Sequence, residues 1–233
     1  GSRRPPVVFL FPGGGTQYPL MAAQLYASET VFRHHVDEGL RLAREQHGLE
    51  LRDLLLNDTG TDASAALENA SLQLPALLIV EHALAQLLIS RGVAPIALAG
   101  HSVGEAVAAC VAGTMTFADC LGLVVLRGKL MDRTRGGMLS VRMPAAELRP
   151  MLDEFGLDLG VINAPDLCVA SGSTEALTEL EQRLAALSVE FSRVRINIAA
   201  HSRMLDPVLD EFRAHLRTIG LNRPKIAWVS NTT

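Results

Sequence analysis

The chain has 233 residues, 48% of them hydrophobic and 20% charged, with a net charge of −4, as expected of a globular chain long enough to bury a core. It has no basic stripe with interleaved aromatics, so nothing suggests nucleic acid as a partner, and no uninterrupted apolar run reaches the roughly 18 residues of a membrane helix. Cys110, Cys120 and Cys168 form no CxxC pair, so no zinc site, other metal site or disulfide framework is expected, and a reducing cytoplasm is the default location.

Gly1-Ser2 reads as a cleavage scar, not as the start of a signal peptide, because no apolar core follows a charged start. Val7 to Phe11 (VVFLF) then reads as a buried strand, and Pro12 to Gly15 as a tight turn. Leu20 to Gly48 carries a helical period, broken once or twice. Ser71 to Arg91 is a long apolar helix with Gly92 as its stop. Pro95 to Ala99 is a second buried strand, Glu105 to Ala112 a buried helix, and Phe117 to about Thr134 another helix.

From Gly136 the texture changes. Met138–Met143, Leu157–Asn163, Leu167–Ser171 and Val189–Ile196 read as strands, with helices over Ala145–Phe155 and Thr174–Leu187. The order β-α-β-β-α-β is the ferredoxin-like pattern. The expected organisation is an α/β-hydrolase-like core with a parallel sheet over 3–135 and 199–233, plus a ferredoxin-like insert over 136–198. A helix near Pro207–Ile219 and a strand over Lys225–Ser230 close the chain.

The strongest chemical signal is Gly100-His101-Ser102-Val103-Gly104, a G-x-S-x-G between a predicted strand and a predicted helix. That context is what a nucleophile elbow needs: a turn too sharp for side chains at the glycines lifts the serine clear of the sheet. The helix N-terminus beneath it favours developing negative charge. The bland reading is a glycine-rich β-α turn with an idle serine.

A serine hydroxyl needs a base to take its proton at neutral pH. Of the seven histidines, His34, His35 and His47 fall in polar helical stretches. His82 and His215 read as helix-surface or satisfied core residues. His101 adjoins the serine, but the elbow turns it away from Oγ. His201, where the chain re-enters the core, is the candidate left, although position alone does not decide a base. Two main-chain donors are expected for the oxyanion, one from Val103 and one from the glycine loop near Gln17. That loop lacks the Gly-Lys-Ser/Thr of a phosphate loop.

With FPGGGTQYPLM, GHSVGEAVAACVAG, LRGKLM, GGMLSV, NAPDLCVASG, AAHSRM and the closing Ser230-Asn231 in this order, the chain resembles the acyltransferase domains of modular polyketide synthases and, more distantly, malonyl-CoA:acyl-carrier-protein transacylases. The resemblance implies Ser102 as nucleophile, His201 as base, and the N–H groups of Gln17 and Val103 as the oxyanion hole. It implies that Arg127 pairs with the free carboxylate of a malonyl-type acyl group, a task that suits a planar guanidinium. Asn231 would orient His201 through its main-chain carbonyl, and His101, Ala199 and Ala200 would line the substrate pocket. The implied donor is acyl-CoA, malonyl-CoA favoured, with no bound cofactor. The implied partners are an acyl carrier protein with its phosphopantetheine arm and neighbouring synthase domains, with neither nucleic acid nor membrane.

Ile198-Ala199-Ala200-His201 matches neither the HAFH often found in malonyl members nor the YASH of methylmalonyl members. Ala200 leaves room for an α-substituent, whereas Val103 is typical of malonyl elbows. One methyl group in a pocket is worth only ~1–3 kcal/mol, and the balance is read as malonyl. Ala106 stands where an aromatic often follows the GHSxGE glutamate, and Glu105 itself is explained by its place in a first helical turn. Family domains continue for several dozen residues past the serine-asparagine motif, so the domain is expected to extend beyond Thr233. The rival readings are a serine thioesterase using Asp153, Asp158 or Asp166, and a catalytically silent scaffold domain.

Overall fold

The computed structural model describes residues 5–57 and 62–231. The remaining residues, which include Gly1-Ser2 and both outer ends of the expected core, lie outside the described residues. In chain order the elements are β1 Val7–Phe11, α1 Ala23–Ser28, α2 Thr30–His47, α3 Arg52–Leu56, α4 Asp62–Ala66, α5 Ala70–Ser90, β2 Pro95–Gly100, α6 Val103–Val111 and α7 Phe117–Asp132. They continue with β3 Gly137–Val141, α8 Ala145–Phe155, β4 Asp158–Ala164, β5 Leu167–Gly172, α9 Thr174–Ala186, β6 Phe191–Arg193, a 3-10 helix Arg203–Val208, α10 Leu209–Leu216 and β7 Ala227–Val229.

The chain divides into two compact units. The first comprises Gly1–Leu67, Ser71–Gly128 and Ala214–Thr233; the second comprises Glu68–Ala70 and Lys129–Arg213, wider than 136–198 at both ends. The first unit holds a parallel sheet in the order β1-β2-β7, with Phe11 beside Gly100 and Ala99 beside Val229. The VVFLF strand is buried on one face only: Phe9 and Phe11 are covered, whereas Val8 and Leu10 are exposed, because alternate side chains leave opposite faces of a strand. The second unit is an antiparallel sheet in the order β4-β5-β3-β6. This is the ferredoxin-like arrangement, and α8 and α9 bury Leu148, Leu152, Leu177, Leu180 and Leu184 in the unit's core with Leu139 and Val141 of β3.

Some elements differ in extent from their sequence expectation, whereas the broken period over Leu20–Gly48 is as expected. The last insert strand is only Phe191–Arg193; the Val194 N–H still donates to Met138, but the Ile196 N–H turns back to Val194 and ends the ladder. The helix expected over Pro207–Ile219 starts as a 3-10 turn at Arg203, capped by Ser202 Oγ on the Met204 N–H, and closes at Leu216. The broken helix over Leu20–Gly48 is two helices, parted at Glu29 by extended backbone. α3 and α4 have five residues each, too short to display a helical period.

By length and composition α5 is a helix that could cross a membrane, despite carrying Gln73, Glu81 and His82; most of it is buried within the protein. Neither Glu81 carboxylate oxygen has a hydrogen-bond partner among the described residues, and burial raises the Glu81 pKa from 4.5 to about 8. His82 stacks on Phe117 with ring centroids 4.4 Å apart, and its Nδ1 has no partner among the described residues. Burial, aided by the nearby His35, lowers its pKa from 6.5 to about 4.

These opposite shifts shape the stability profile. Glu81, raised on folding, contributes stability that is present below pH 4.5 and is lost up to pH 8. His82, depressed on folding, contributes stability that is present above pH 6.5 and is lost as pH falls to about 4. Between 4.5 and 6.5 the slopes cancel. Above 6.5 only Glu81 acts, so stability falls by about 2 kcal/mol by pH 8 at about 1.4 kcal/mol per pH unit. Glu81→Gln is expected to abolish this decline, measured as the denaturation free energy at pH 6.5 and 8. A parallel fall in both proteins would contradict the assignment.

Candidate active site

Ser102 occupies the turn between β2 and α6 with φ 54° and ψ −112°, a left-handed backbone that costs a non-glycine residue on the order of 1–3 kcal/mol. The two flanking glycines allow this turn. A Cβ on Gly100 would overlap the Gly104 carbonyl, and one on Gly104 would overlap the carbonyl oxygens of Phe11 and Pro12. The His101 N–H donates to the Phe11 carbonyl (2.9 Å), tying the turn to the end of β1. A serine at a helix start ordinarily caps it, but Ser102 makes no side-chain cap; its Oγ instead accepts a hydrogen bond from Arg127 Nη2 at 3.1 Å.

Arg127 reaches this position from α7. That helix is started by a reciprocal cap in which the Thr116 hydroxyl donates to the Asp119 carboxylate (2.6 Å) and accepts from the Asp119 N–H (3.1 Å). Burial lowers the Arg127 pKa from its usual value, and the Glu105 carboxylate opposes the shift. Next to the serine hydroxyl there is therefore a desolvated cation, a poor general base and a good seat for a carboxylate.

The glycine loop belongs to the same unit. Thr16 Oγ1 donates to the Gly13 carbonyl (2.9 Å), and Gln17 Oε1 accepts the Gly15 N–H (2.8 Å). The Gln17 side chain is thus turned back on its own loop. Val103 is the first residue of α6, where a main-chain N–H has no partner within the helix. His101 is exposed, with its ring against Gly13. Asn231 sits just beyond β7: its Nδ2 donates to the Gly100 carbonyl (2.8 Å) and its N–H to Glu105 Oε1 (2.9 Å).

His201 lies in the second unit and is exposed, with φ 59°. Its flanks are pinned there: Ser171 Oγ donates to the Ala200 carbonyl (2.6 Å) and Ser202 Oγ to that of Ala199 (2.7 Å). Ala199 and Ala200 are both buried, and Ala199 Cβ faces Gly136. The aspartates considered for a hydrolase triad are also in this unit. Asp158 is paired with Arg203 (2.8 Å), which holds its carboxyl below the usual range, and Asp166 is paired with Arg142 (3.3 Å).

Two further residues that the sequence does not mark as functional lie beside this turn and the glycine loop. Gln73 is buried; its Nε2 donates to the Leu67 carbonyl (3.2 Å) and its Oε1 lies against Gly14. Its signal was an amide inside an apolar helix. Glu105 was assigned only a helix-end role, yet it also binds the end of the chain's last strand through Ser230 Oγ (3.2 Å) and Asn231.

The family model "Acyl transferase domain" matches residues 8–233. The chain is 35% identical over 228 residues to a phenolphthiocerol/phthiocerol polyketide synthase protein of Mycobacterium tuberculosis, covering 97% of this chain and 15% of that protein. The acyl transferase domain of SpnD, solved in complex with 2-(pent-4-yn-1-yl)malonyl, superposes with a TM-score of 0.88 at 40% identity, covering 99% of this chain and 55% of that one. A malonyl CoA-acyl carrier protein transacylase from Coxiella burnetii shares the fold at 23% identity, with a TM-score of 0.84 over 96% of this chain and 72% of that one. The chain thus spans a small part of the mycobacterial synthase protein and about half the length of the solved SpnD domain.

Proposed function

Because the chain belongs to the acyl transferase domain family, we propose that it moves a malonyl-type acyl group from coenzyme A, as an ester on Ser102, to the phosphopantetheine thiol of an acyl carrier protein in a polyketide synthase. The observation that carries the reading is Arg127 Nη2 at 3.1 Å from Ser102 Oγ. A malonyl ester on Oγ has its free carboxylate three covalent bonds further on, within reach of that guanidinium. A charge-assisted, two-point pair there would orient the acyl group and restore solvation to a partly buried cation.

In this mechanism His201 takes the Ser102 proton as Oγ attacks the thioester carbonyl. The N–H groups of Gln17 and Val103 hold the tetrahedral oxyanion, each donor contributing ~3–4 kcal/mol by comparison with other oxyanion holes. The C–S bond breaks and coenzyme A leaves as the thiol with the proton from His201. The carrier thiol then attacks the ester, its proton passes by way of His201 to Oγ, and Ser102 is restored. Asn231 offers its main-chain carbonyl to His201, and His101, Ala199 and Ala200 border the acyl group. No cofactor is used.

Arg193, Arg195 and Arg203 are the cations offered to an acidic carrier protein. Arg193 is paired with Glu181 and Arg203 with Asp158, whereas Arg195 is exposed and has no ion-pair partner among the described residues. Arg195 is therefore the one of the three most open to a carrier.

Incubation with malonyl-, methylmalonyl- and acetyl-CoA, read by intact mass, tests the proposal. The expected result is a lasting adduct from a carboxylated donor. An adduct from acetyl-CoA alone would remove the role of Arg127. Coenzyme A release with no adduct would indicate a hydrolase, and neither signal a silent domain.

A further inference from the structure

Glu105 and Asn231 close a hydrogen-bonded ring across the nucleophile turn. Gly100 precedes Ser102 and gives its carbonyl to Asn231 Nδ2 (2.8 Å); Glu105 follows Ser102 and accepts the Asn231 N–H at Oε1 (2.9 Å). The same oxygen accepts Ser230 Oγ (3.2 Å). One residue from the end of β7 thus grips the chain on both sides of a serine held in left-handed backbone. An isolated turn of this kind would relax toward an unstrained conformation, because only surrounding contacts sustain such a residue. Ser102 Oγ would then leave its position beside Arg127.

We propose that Glu105 is a positioning residue: by clamping Asn231 across the turn it holds Ser102 in its strained backbone and keeps Oγ oriented for attack. This assigns Glu105 a role beyond the helix-end preference for acidic residues, and assigns Asn231 a task through its side chain, distinct from the one offered to its main-chain carbonyl. The inference rests on Ser102 as the nucleophile of the proposed function.

The test labels Ser102 in the full chain with an uncharged fluorophosphonate. Oγ bonds to phosphorus as its proton passes to the base, the P–F bond breaks and fluoride leaves, and neither coenzyme A nor a carboxylate takes part. Glu105→Ala and Asn231→Ala are each expected to slow labelling at least tenfold. The double variant should be no slower than the slower single, since both break one ring. Glu105→Gln keeps an acceptor oxygen and should recover most of the rate, which a requirement for charge would not allow. Unfolding midpoints accompany each variant. Should Glu105→Ala fail to fold, Asn231→Ala decides the matter, because it deletes only the amide on Gly100. Parental labelling in a folded single variant, or additive losses in the double, would overturn the ring. A parent chain that takes no label removes the nucleophile and the ring with it. A labelled parent that gains no acyl group from any coenzyme A thioester defeats the proposed function alone.

Discussion

Ser102→Ala is expected to leave no acyl adduct with any coenzyme A thioester and to lower transfer to a carrier thiol by about 10⁴-fold or more, the scale seen when a serine nucleophile is removed from a covalent mechanism. The substitution is clean for a structural reason. Alanine keeps the Cβ, so the backbone strain at φ 54° is unchanged, and Ser102 Oγ makes no helix cap whose loss would fray α6. The losses include the attacking oxygen and the acceptor for Arg127 Nη2. The unfolding midpoint should therefore stay within a few degrees of the parent. Transfer assays with purified carrier protein, alongside intact mass, check both parts. Adduct formation that survives in Ser102→Ala would move the nucleophile elsewhere.

Arg127→Leu is the second large effect. The guanidinium is buried enough for its pKa to fall, and the Glu105 carboxylate is the partner that opposes the fall. Removing one member of a desolvated charge pair with a bound carboxylate costs about 2–5 kcal/mol. The expected loss in kcat/KM for malonyl-CoA is therefore about 30- to 4,000-fold, at about 1.4 kcal/mol per tenfold. Acetyl-CoA has no carboxylate to lose, and its kcat/KM should hold or rise, because an apolar side chain no longer has to be desolvated against a cation. Glu105 keeps the Ser230 hydroxyl and the Asn231 N–H as partners once the guanidinium is gone, so the variant should remain folded. A uniform loss for both donors would mean that Arg127 serves the serine and not the acyl group.

The glycine-flanked turn that holds Ser102 could be read from sequence because its sterics are local. Two glycines around His101-Ser102-Val103, with an apolar strand before and an alanine-rich helix after, specify the elbow by sterics confined to a few residues, and the structure has Gly104 packed against the Phe11 and Pro12 carbonyls. The ferredoxin-like order was legible for a related reason: each strand and helix of the second unit carries its own apolar period, and the β4-β5-β3-β6 sheet follows from that order of elements. Where a period was short or truncated, reading failed. α3 and α4 are too brief to show one, and the ladder of β6 stops where the Ile196 N–H turns back to the Val194 carbonyl.

The sequence by itself marked a serine on a glycine-flanked turn and left a histidine after the insert as the candidate base, whereas the arginine of the second helix after the turn entered through the family resemblance. Tertiary structure alone decided what these groups touch. Arg127 meets Ser102 across 25 residues of chain, and Asn231 meets Glu105 across 126. The second of these contacts depends on the parallel pairing of β2 with β7, which is not encoded in the neighbourhood of the residues it joins. The same holds for Glu81 and His82: their helix was legible as apolar, but the opposite shifts in their protonation arise from burial, which the fold as a whole imposes.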